Sequence, residues 1–530
     1  MSSYFSHPSV DPVDLEVFRN RCAAIAEEMG AALGRSALSA NIKERRDFSC
    51  AVFDARGRMI AQAAHIPVHL GAMPRSVEAA LAQFTLAPGD VVILNDPYLG
   101  GTHLPDLTTV APVYAGATLI GYTATRAHHA DVGGMTPGSM PMSREVYQEG
   151  LIIPPTLLAR GGAPDDAIIA LICRNSRTPD ERRGDLAAQL ACHRVGAQRL
   201  AELAERHGPE WVARHMNALL AYGERHMRAV IAAIPDGTYA FEDVLDNDGV
   251  DPDPLAICVR ITIHGERAIV DFDGTAPQCR GPLNAPRAVT ESAVLYCFRC
   301  LGPPDMPLSA GAFAPLDIRV PEGSILAPRS PAAVAGGNVE TAQRVVDVVF
   351  GALAQALPDR IPAASAGTMN NWTFGGTAQN GASFAYYETL GGGMGARPTL
   401  PGLGGVQVHM TNTLNTPVEA LERQFPLMVR RYGLRRGSGG TGRMHGGDGL
   451  VREIEFRAPV TVSLLTERRV FAPYGLHGGA PGLRGRNVLV RDDEERILPG
   501  KTTIDVRPGD ILRIETPGGG GFGAQEQGER

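Results

Sequence analysis

Asn95-Asp96-Pro97-Tyr98-Leu99-Gly100-Gly101-Thr102-His103-Leu104-Pro105-Asp106 is followed, one strand pair later, by Arg126-Ala127-His128-His129-Ala130-Asp131-Val132-Gly133-Gly134. Between them run two strand-like stretches, Leu107 to Tyr114 and Ala117 to Arg126, separated by Ala115-Gly116. So short a connection requires an antiparallel hairpin. With Ala115-Gly116 as the turn, Tyr114 pairs with Ala117. The register then sets His103 opposite His128, and Asp106 lies near Thr125 at the same open end. Two imidazoles and a carboxylate converge there from positions 25 residues apart. Gly100-Gly101 lets the loop fold back over them.

Two His and one Asp leave room for water and substrate on Zn²⁺, Mn²⁺ or Fe²⁺. Such an ion polarises a carbonyl or lowers the pKa of a bound water. The competing reading is a loop-capping Asp with hydrogen-bonded His residues. His128-His129 and Asp131 at the same end weigh towards a metal centre of His103, Asp106 and His128, with zinc or manganese the first expectation. His129 and Asp131 are expected to work as catalytic groups beside it. Asp96 or Asp131 is the candidate to complete the ligand set or to orient the imidazoles.

Other clusters are candidates for substrate binding. His65 and His69, in Ala64-His65-Ile66-Pro67-Val68-His69-Leu70-Gly71, could line the same cavity. Asn338 and Glu340 sit where Gly336-Gly337-Asn338 opens a helix, either as an anion-binding start or as an Asn-capped one. His409 and Asn412 bring hydrogen-bonding groups into one short run. No Gly-x-x-x-x-Gly-Lys-Ser/Thr loop and no Gly-x-Ser-x-Gly elbow is present.

Around this centre the pattern is mixed. Leu15, Phe18, Cys22, Ile25, Met29 and Leu33 recur at helical spacing behind Asp11-Pro12, a cap and first-turn proline. A hairpin is expected across Asp54 to Gly57, a helix from Pro74 to Phe84, and helices from about Asp180 to Ala233. Pro235-Asp236-Gly237 marks a boundary. Strands follow at Ala256 to Ile263 and Ala268 to Phe272, then a helix at Glu340 to Leu353. Arg435 to Gly449 reads as a glycine-rich loop or linker, with short strands after it. The fold class is therefore α+β and multi-domain, with a β-rich C-terminal region. The expected divisions are 1–234 carrying the metal site, a central mixed region at 235–435, and 436–530.

At 530 residues, 44% hydrophobic and 20% charged, the chain is an ordinary globular one of more than one core. A net charge of -7 argues against nucleic acid as a partner. Its basic cluster, Lys43-Glu44-Arg45-Arg46, reads as a solvated helix end. No apolar run is long enough to span a membrane, and Met1 to His7 lacks the features of a signal peptide. The eight cysteines read as buried, reduced thiols, and the expected location is the cytoplasm.

Several long motifs, in order, resemble the hydantoinase B/oxoprolinase family. They are Asp47 to Asp54, His65 to Pro74, Asn95 to Asp106, Arg126 to Gly134, Gly336 to Asp347, His409 to Glu422 and Thr516 to Gly523. The resemblance runs from about Asp11 to Gly523. It implies a B-type subunit working beside an A-type, ATP-binding subunit, in a hetero-oligomer that can hold two copies of each. Carboxylase relatives hold a metal with a His-x-x-Asp and a later His, which fall here on His103, Asp106 and His128. The implied activity is ATP-dependent opening of a small cyclic amide, such as a hydantoin, 5-oxoproline or a lactam. Alternatives are a subunit of an acetone or acetophenone carboxylase and a non-catalytic scaffold for the ATP-binding subunit. A non-haem iron oxygenase fits less well, because that pattern spaces its first His and acid by one residue, not by Leu104-Pro105.

Overall fold

The computed structural model describes residues 10–63, 65–378 and 381–525. It is an α+β, multi-domain protein with four sheets. The first sheet orders its strands Met59–Gln62, Phe48–Asp54, Thr118–His128, Asp106–Ala115, Val91–Leu94, Thr156–Arg160 and Ala163–Pro164. Phe48–Asp54 is buried along its whole length because both faces are covered. On one face, helices Pro12–Ser36 and Pro179–His207 bring Cys22, Met29 and Leu200 against Cys50, Val52 and Ile120. On the other, helix His69–Gln83 packs Met73 and Val77 against Phe53, Val92 and Val110. Asp11 caps the first helix as expected, its carboxylate accepting from Val13 and Asp14 N–H.

The helix expected from Pro74 starts five residues earlier, at His69. Its cap lies outside the local sequence: the N–H groups of Gly71 and Ala72 donate to Ser292 Oγ at 2.8 and 3.1 Å.

The central hairpin forms, but with another register. Its turn is Gly116-Ala117, one residue later than expected, with Gly116 at a φ of 58°. Glycine suits that first turn position of a two-residue hairpin. Tyr114 pairs with Leu119 and Val113 with Gly121, so Ile120 is an extra residue that bulges the strand. Turn shift and bulge together move the pairing by three residues. His128 therefore faces Asp106, not His103, and Thr125 faces Thr109.

The second sheet runs Leu316–Arg319, Arg267–Asp271, Leu255–His264, Gly237–Leu245, and helix Ala342–Ala356 lies against it. The third runs Ser383–Glu388, Asn371–Thr377, Val460–Leu465, Lys501–Val506. The fourth runs Leu427–Arg435, Gly449–Phe456, Ile511–Glu515, Arg486–Arg491, Glu494–Leu498. These last two share a core that includes Trp372, Phe374, Ile454, Leu489 and Leu512.

The stretch between Arg435 and Gly449 is a loop, as expected, and not a linker between separate units. Residues 436–448 wrap a ribbon of consecutive glycines, Gly518 to Gly521, by backbone alone. Gly440 N–H donates to the Gly519 carbonyl at 2.8 Å, and Gly519 N–H donates to the Gly447 carbonyl at 2.9 Å. A Cβ on Gly519 would lie 2.1 Å from the Met394 carbonyl oxygen, so only glycine fits.

In the basic cluster Lys43 ends a short helix and is exposed with Arg46, as expected, but Arg45 is not. Arg45 is fully buried, donates to the Tyr387 carbonyl at 3.0 Å, and stacks 4.6 Å from the Tyr387 ring centroid. All eight cysteines are free, and Cys300 is exposed. Among the described residues no helix is long and apolar enough to cross a membrane.

Candidate metal centre

Asp106 opens one hairpin strand and His128 closes the other, so their pairing puts both side chains on one face at the sheet's end. His103 arrives from the tight turn before Asp106, whose N–H donates to the His103 carbonyl at 3.1 Å. Asp106 Oδ1 lies 3.1 Å from both His103 Nε2 and His128 Nδ1, and these two nitrogens are 3.2 Å apart. Ligand bonds of about 2.0–2.2 Å at 90–110° put neighbouring donors roughly 2.8–3.6 Å apart. The triangle has the dimensions of three donors around one divalent ion, and no other described group of His, Cys, Asp and Glu meets that test.

The surroundings orient these donors. Thr102 Oγ1 donates to Asp106 Oδ2 at 2.6 Å, and Asn338 Nδ2 reaches the same oxygen at 3.4 Å. His103 Nδ1 faces the Ala335 carbonyl at 3.3 Å, which leaves Nε2 for the centre. The Tyr387 ring stacks on His128 with centroids 4.5 Å apart, and its hydroxyl donates to Asn371 Oδ1 at 2.8 Å. Burial alone would raise the Asp106 carboxyl, yet the His103 imidazole and the bonds from His103, His128 and His69 hold it well below the usual range. Burial works against the His103 cation too, but Asp106 lifts its pKa. Burial dominates at His69 and His128 and lowers both.

His69 belongs to this cluster. Its Nε2 is 3.5 Å from Asp106 Oδ2, and its Nδ1 meets Ser49 Oγ at 2.8 Å. Asn338 reaches Asp106 and caps nothing: the helix opens with a π turn at Gly337–Thr341 that has no side-chain cap. Glu340 connects one step further out, accepting from Asn371 Nδ2 at 2.5 Å and from Met369 N–H at 3.0 Å.

His65 and Asn412 line a separate cavity of about 710 Å³ next door, where Asn412 Nδ2 donates to the His65 carbonyl. Ile66 borders both that cavity and the small space of about 20 Å³ at the centre itself.

Other expected site residues are not brought to the cluster. His129 points to the opposite face of the sheet, as the neighbour of His128 must, and bonds Gln189 Oε1 at 2.9 Å. Asp131 latches its loop, accepting from Gly133, Gly138 and Arg177 N–H and pairing with Arg177 Nη1 at 2.9 Å. His409 meets the Tyr296 hydroxyl at 3.3 Å, and Asp96 caps the turn at Tyr98. Sequence reasoning assigned no role to Asp47 and Tyr387, which both line the central space, or to Thr102.

An α+β chain that closes two imidazoles and a carboxylate between its sheets is a protein built around a candidate metal centre. The chain belongs to the hydantoinase B/oxoprolinase family, whose model matches residues 11–525. It is 44% identical to 5-oxoprolinase 1 of Arabidopsis thaliana over 540 residues, 97% of this chain and 42% of that protein. A Pseudomonas sp. (strain NS671) protein named as the B-type subunit of a D-/L-hydantoinase is 32% identical, with 97% and 90% of the two chains covered. Among solved structures, the ATP-dependent caprolactamase from Pseudomonas jessenii matches with a TM-score of 0.91 at 28% identity, over 97% of this chain and 92% of that one. Acetone carboxylase in its nucleotide-free structure matches with a TM-score of 0.90 at 19% identity, over 97% and 76%, a likeness of fold alone. The chain spans about two-fifths of the length of the 5-oxoprolinases it matches.

Proposed function

We propose that this chain is the B-type part of an ATP-dependent enzyme that opens a small cyclic amide, and that it works with an A-type partner that binds ATP. The observation that carries the reading is the donor triangle of His103 Nε2, Asp106 Oδ1 and His128 Nδ1, in a chain whose relatives are named for 5-oxoproline, hydantoin and caprolactam. An unstrained cyclic amide resists hydrolysis because its C–N bond is resonance-stabilised. Phosphoryl transfer from ATP to the carbonyl oxygen, at the partner, gives ADP and an imidate-like phosphate. Water then adds at that carbon, the ring C–N bond breaks as the nitrogen takes up a proton, and a second water hydrolyses the resulting acyl phosphate to a carboxylate and phosphate.

His103, Asp106 and His128 would hold a divalent ion, zinc or manganese first, which when bound supplies positive charge for a carbonyl oxygen or a more acidic water. This chain's residues do the rest. Thr102 and Asn338 fix the Asp106 carboxylate so that one oxygen faces the imidazoles. Ser49 holds His69 Nδ1, so that the ring presents Nε2 to Asp106 Oδ2 and steadies that carboxylate from a third side. Substrate approaches from the cavity lined by His65 and Asn412, because the space at the centre itself is too small for a ring. The carboxylase alternative draws on fold likeness alone.

The test is reconstitution. Purified with its A-type partner, the chain should give substrate-stimulated phosphate release and ring-opened product in a fixed ratio. By itself it should turn over neither ATP nor a cyclic amide. His128→Ala should abolish ring opening while partial, uncoupled ATP hydrolysis survives. Full turnover without a partner, or undiminished ring opening by His128→Ala, would reject the proposal.

A further inference from the structure

Residues 332–338 form one buried stretch that supplies two of the groups around the centre, the Ala335 carbonyl against His103 and the Asn338 amide against Asp106. Its flanks are tied separately. Asn284 Nδ2 donates to the Ala333 carbonyl at 2.9 Å, and Gly336 N–H donates to the Pro282 carbonyl at 2.8 Å. The N–H groups of Val334 and Ala335, in the two peptides just before the Ala335 carbonyl, both donate to one atom, Glu149 Oε1, at 2.8 and 2.9 Å. The same oxygen accepts from the Ser143 hydroxyl at 2.7 Å. Glu149 is fully buried and lies 186 residues from Ala335 in the chain. Burying a polar group is costly unless it is hydrogen-bonded, and here three donors converge on one oxygen.

We propose that Glu149 is a positioning residue of the centre. It anchors the backbone on the N-terminal side of Ala335, so that the Ala335 carbonyl holds the His103 ring with Nε2 towards Asp106 and His128, and so sets how tightly the centre retains a divalent ion. The inference rests on the metal-centre reading above. The physical path is short. An imidazole that donates Nδ1–H to a fixed carbonyl keeps its tautomer and its tilt, and losing such an outer partner typically weakens metal binding about 10–100-fold. Nothing in this path requires Glu149 to touch substrate.

Glu149→Gln and Glu149→Ala separate positioning from bulk stability. Burial pushes the Glu149 carboxyl up to about 7, and its Oε2 has no hydrogen-bond partner among the described residues. An amide in its place keeps an oxygen for the three donors. Zn²⁺ affinity of the full chain is measured by competition with a chromophoric chelator, alongside the melting temperature of the metal-free protein. Wild type should bind about one ion per chain, Glu149→Gln should stay within threefold of it, and Glu149→Ala should bind at least tenfold more weakly. Glu149→Asp, which draws the oxygen back by one methylene, should fall between them and serves if Glu149→Ala does not fold. A folded Glu149→Ala or Glu149→Asp with wild-type affinity overturns the proposal, and so does Glu149→Gln as weak as Glu149→Ala. A wild-type chain that binds no ion overturns the centre itself, a distinguishable result.

Discussion

Replacing Glu340 with Gln should change the pH dependence of stability in a defined window. Glu340 is fully buried, one oxygen accepts from Met369 and Asn371, and the other has no hydrogen-bond partner among the described residues. Burial pushes its carboxyl up to about 7 from 4.5. A group whose folded pKa is raised holds its proton when the unfolded chain has lost it. Its contribution is therefore complete below pH 4.5 and lost as pH rises through about 7. A rise of that size corresponds to about 3 kcal/mol at its limit, an order-of-magnitude figure at roughly 1.4 kcal/mol per pH unit. Glutamine keeps the accepting oxygen and has no proton to lose. The assay is urea unfolding at pH 5, 6, 7 and 8, followed by the fluorescence of Trp372, the neighbour of Asn371 in the third sheet. Relative to wild type, Glu340→Gln should gain about 2.5 kcal/mol between pH 5 and pH 8, an order-of-magnitude figure for a carboxyl raised from 4.5 to about 7. The comparison cancels the other groups that titrate in this range, among them Glu149 with its raised pKa and His65, His129, His193 and His409 with lowered ones. Parallel profiles for the two proteins would refute the reasoning, since Glu340 would then be ionised in the folded state.

Four further outcomes are expected. Elemental analysis should find about one divalent ion per wild-type chain and none in His103→Ala or His128→Ala, with both variants still folded by circular dichroism. Asp131→Asn should keep the metal and lower thermal stability by about 1–3 kcal/mol, because the lost group anchors Arg177 and a loop; loss of metal or of ring opening alone would point to a direct role. Gly519→Ala should cost about 3 kcal/mol or more, since its methyl meets the Met394 carbonyl at 2.1 Å. Gly509→Ala, at a φ of 92° with open space around it, should cost about 1–2 kcal/mol in thermal or urea unfolding.

Local chemistry made much of this molecule legible. The helix behind Asp11-Pro12 could be read because cap, proline and apolar period agree, and the hairpin because its connection is too short for anything else. His103, Asp106 and His128 were accessible as a set, although their pairing was not. Nothing in the sequence marks Ile120 as a bulge, and that one residue, with the turn shift, decides which side chain faces His128. The same alternation separates His128 from His129, which are equivalent as letters and lie on opposite faces of a strand. His69 was legible only as one of two histidines four apart, because the serine that starts its helix lies 221 residues away. Tyr387 and Arg45 meet across 342 residues, with no local signal in either stretch.

The strand Ile511–Glu515 lies inside the fourth sheet, paired on one side with Gly449–Phe456 and on the other with Arg486–Arg491. It is also the last strand of the described chain to be synthesised, and the glycine ribbon follows directly behind it. While a ribosome is still making residues 492–510, two strands wait with open edges and the loop at 436–448 has nothing to close around. The C-terminal half therefore completes in a single late event, when one strand fills a gap and one ribbon locks it. Until that event, the waiting edges are the part of this protein most exposed to pairing with a second nascent chain.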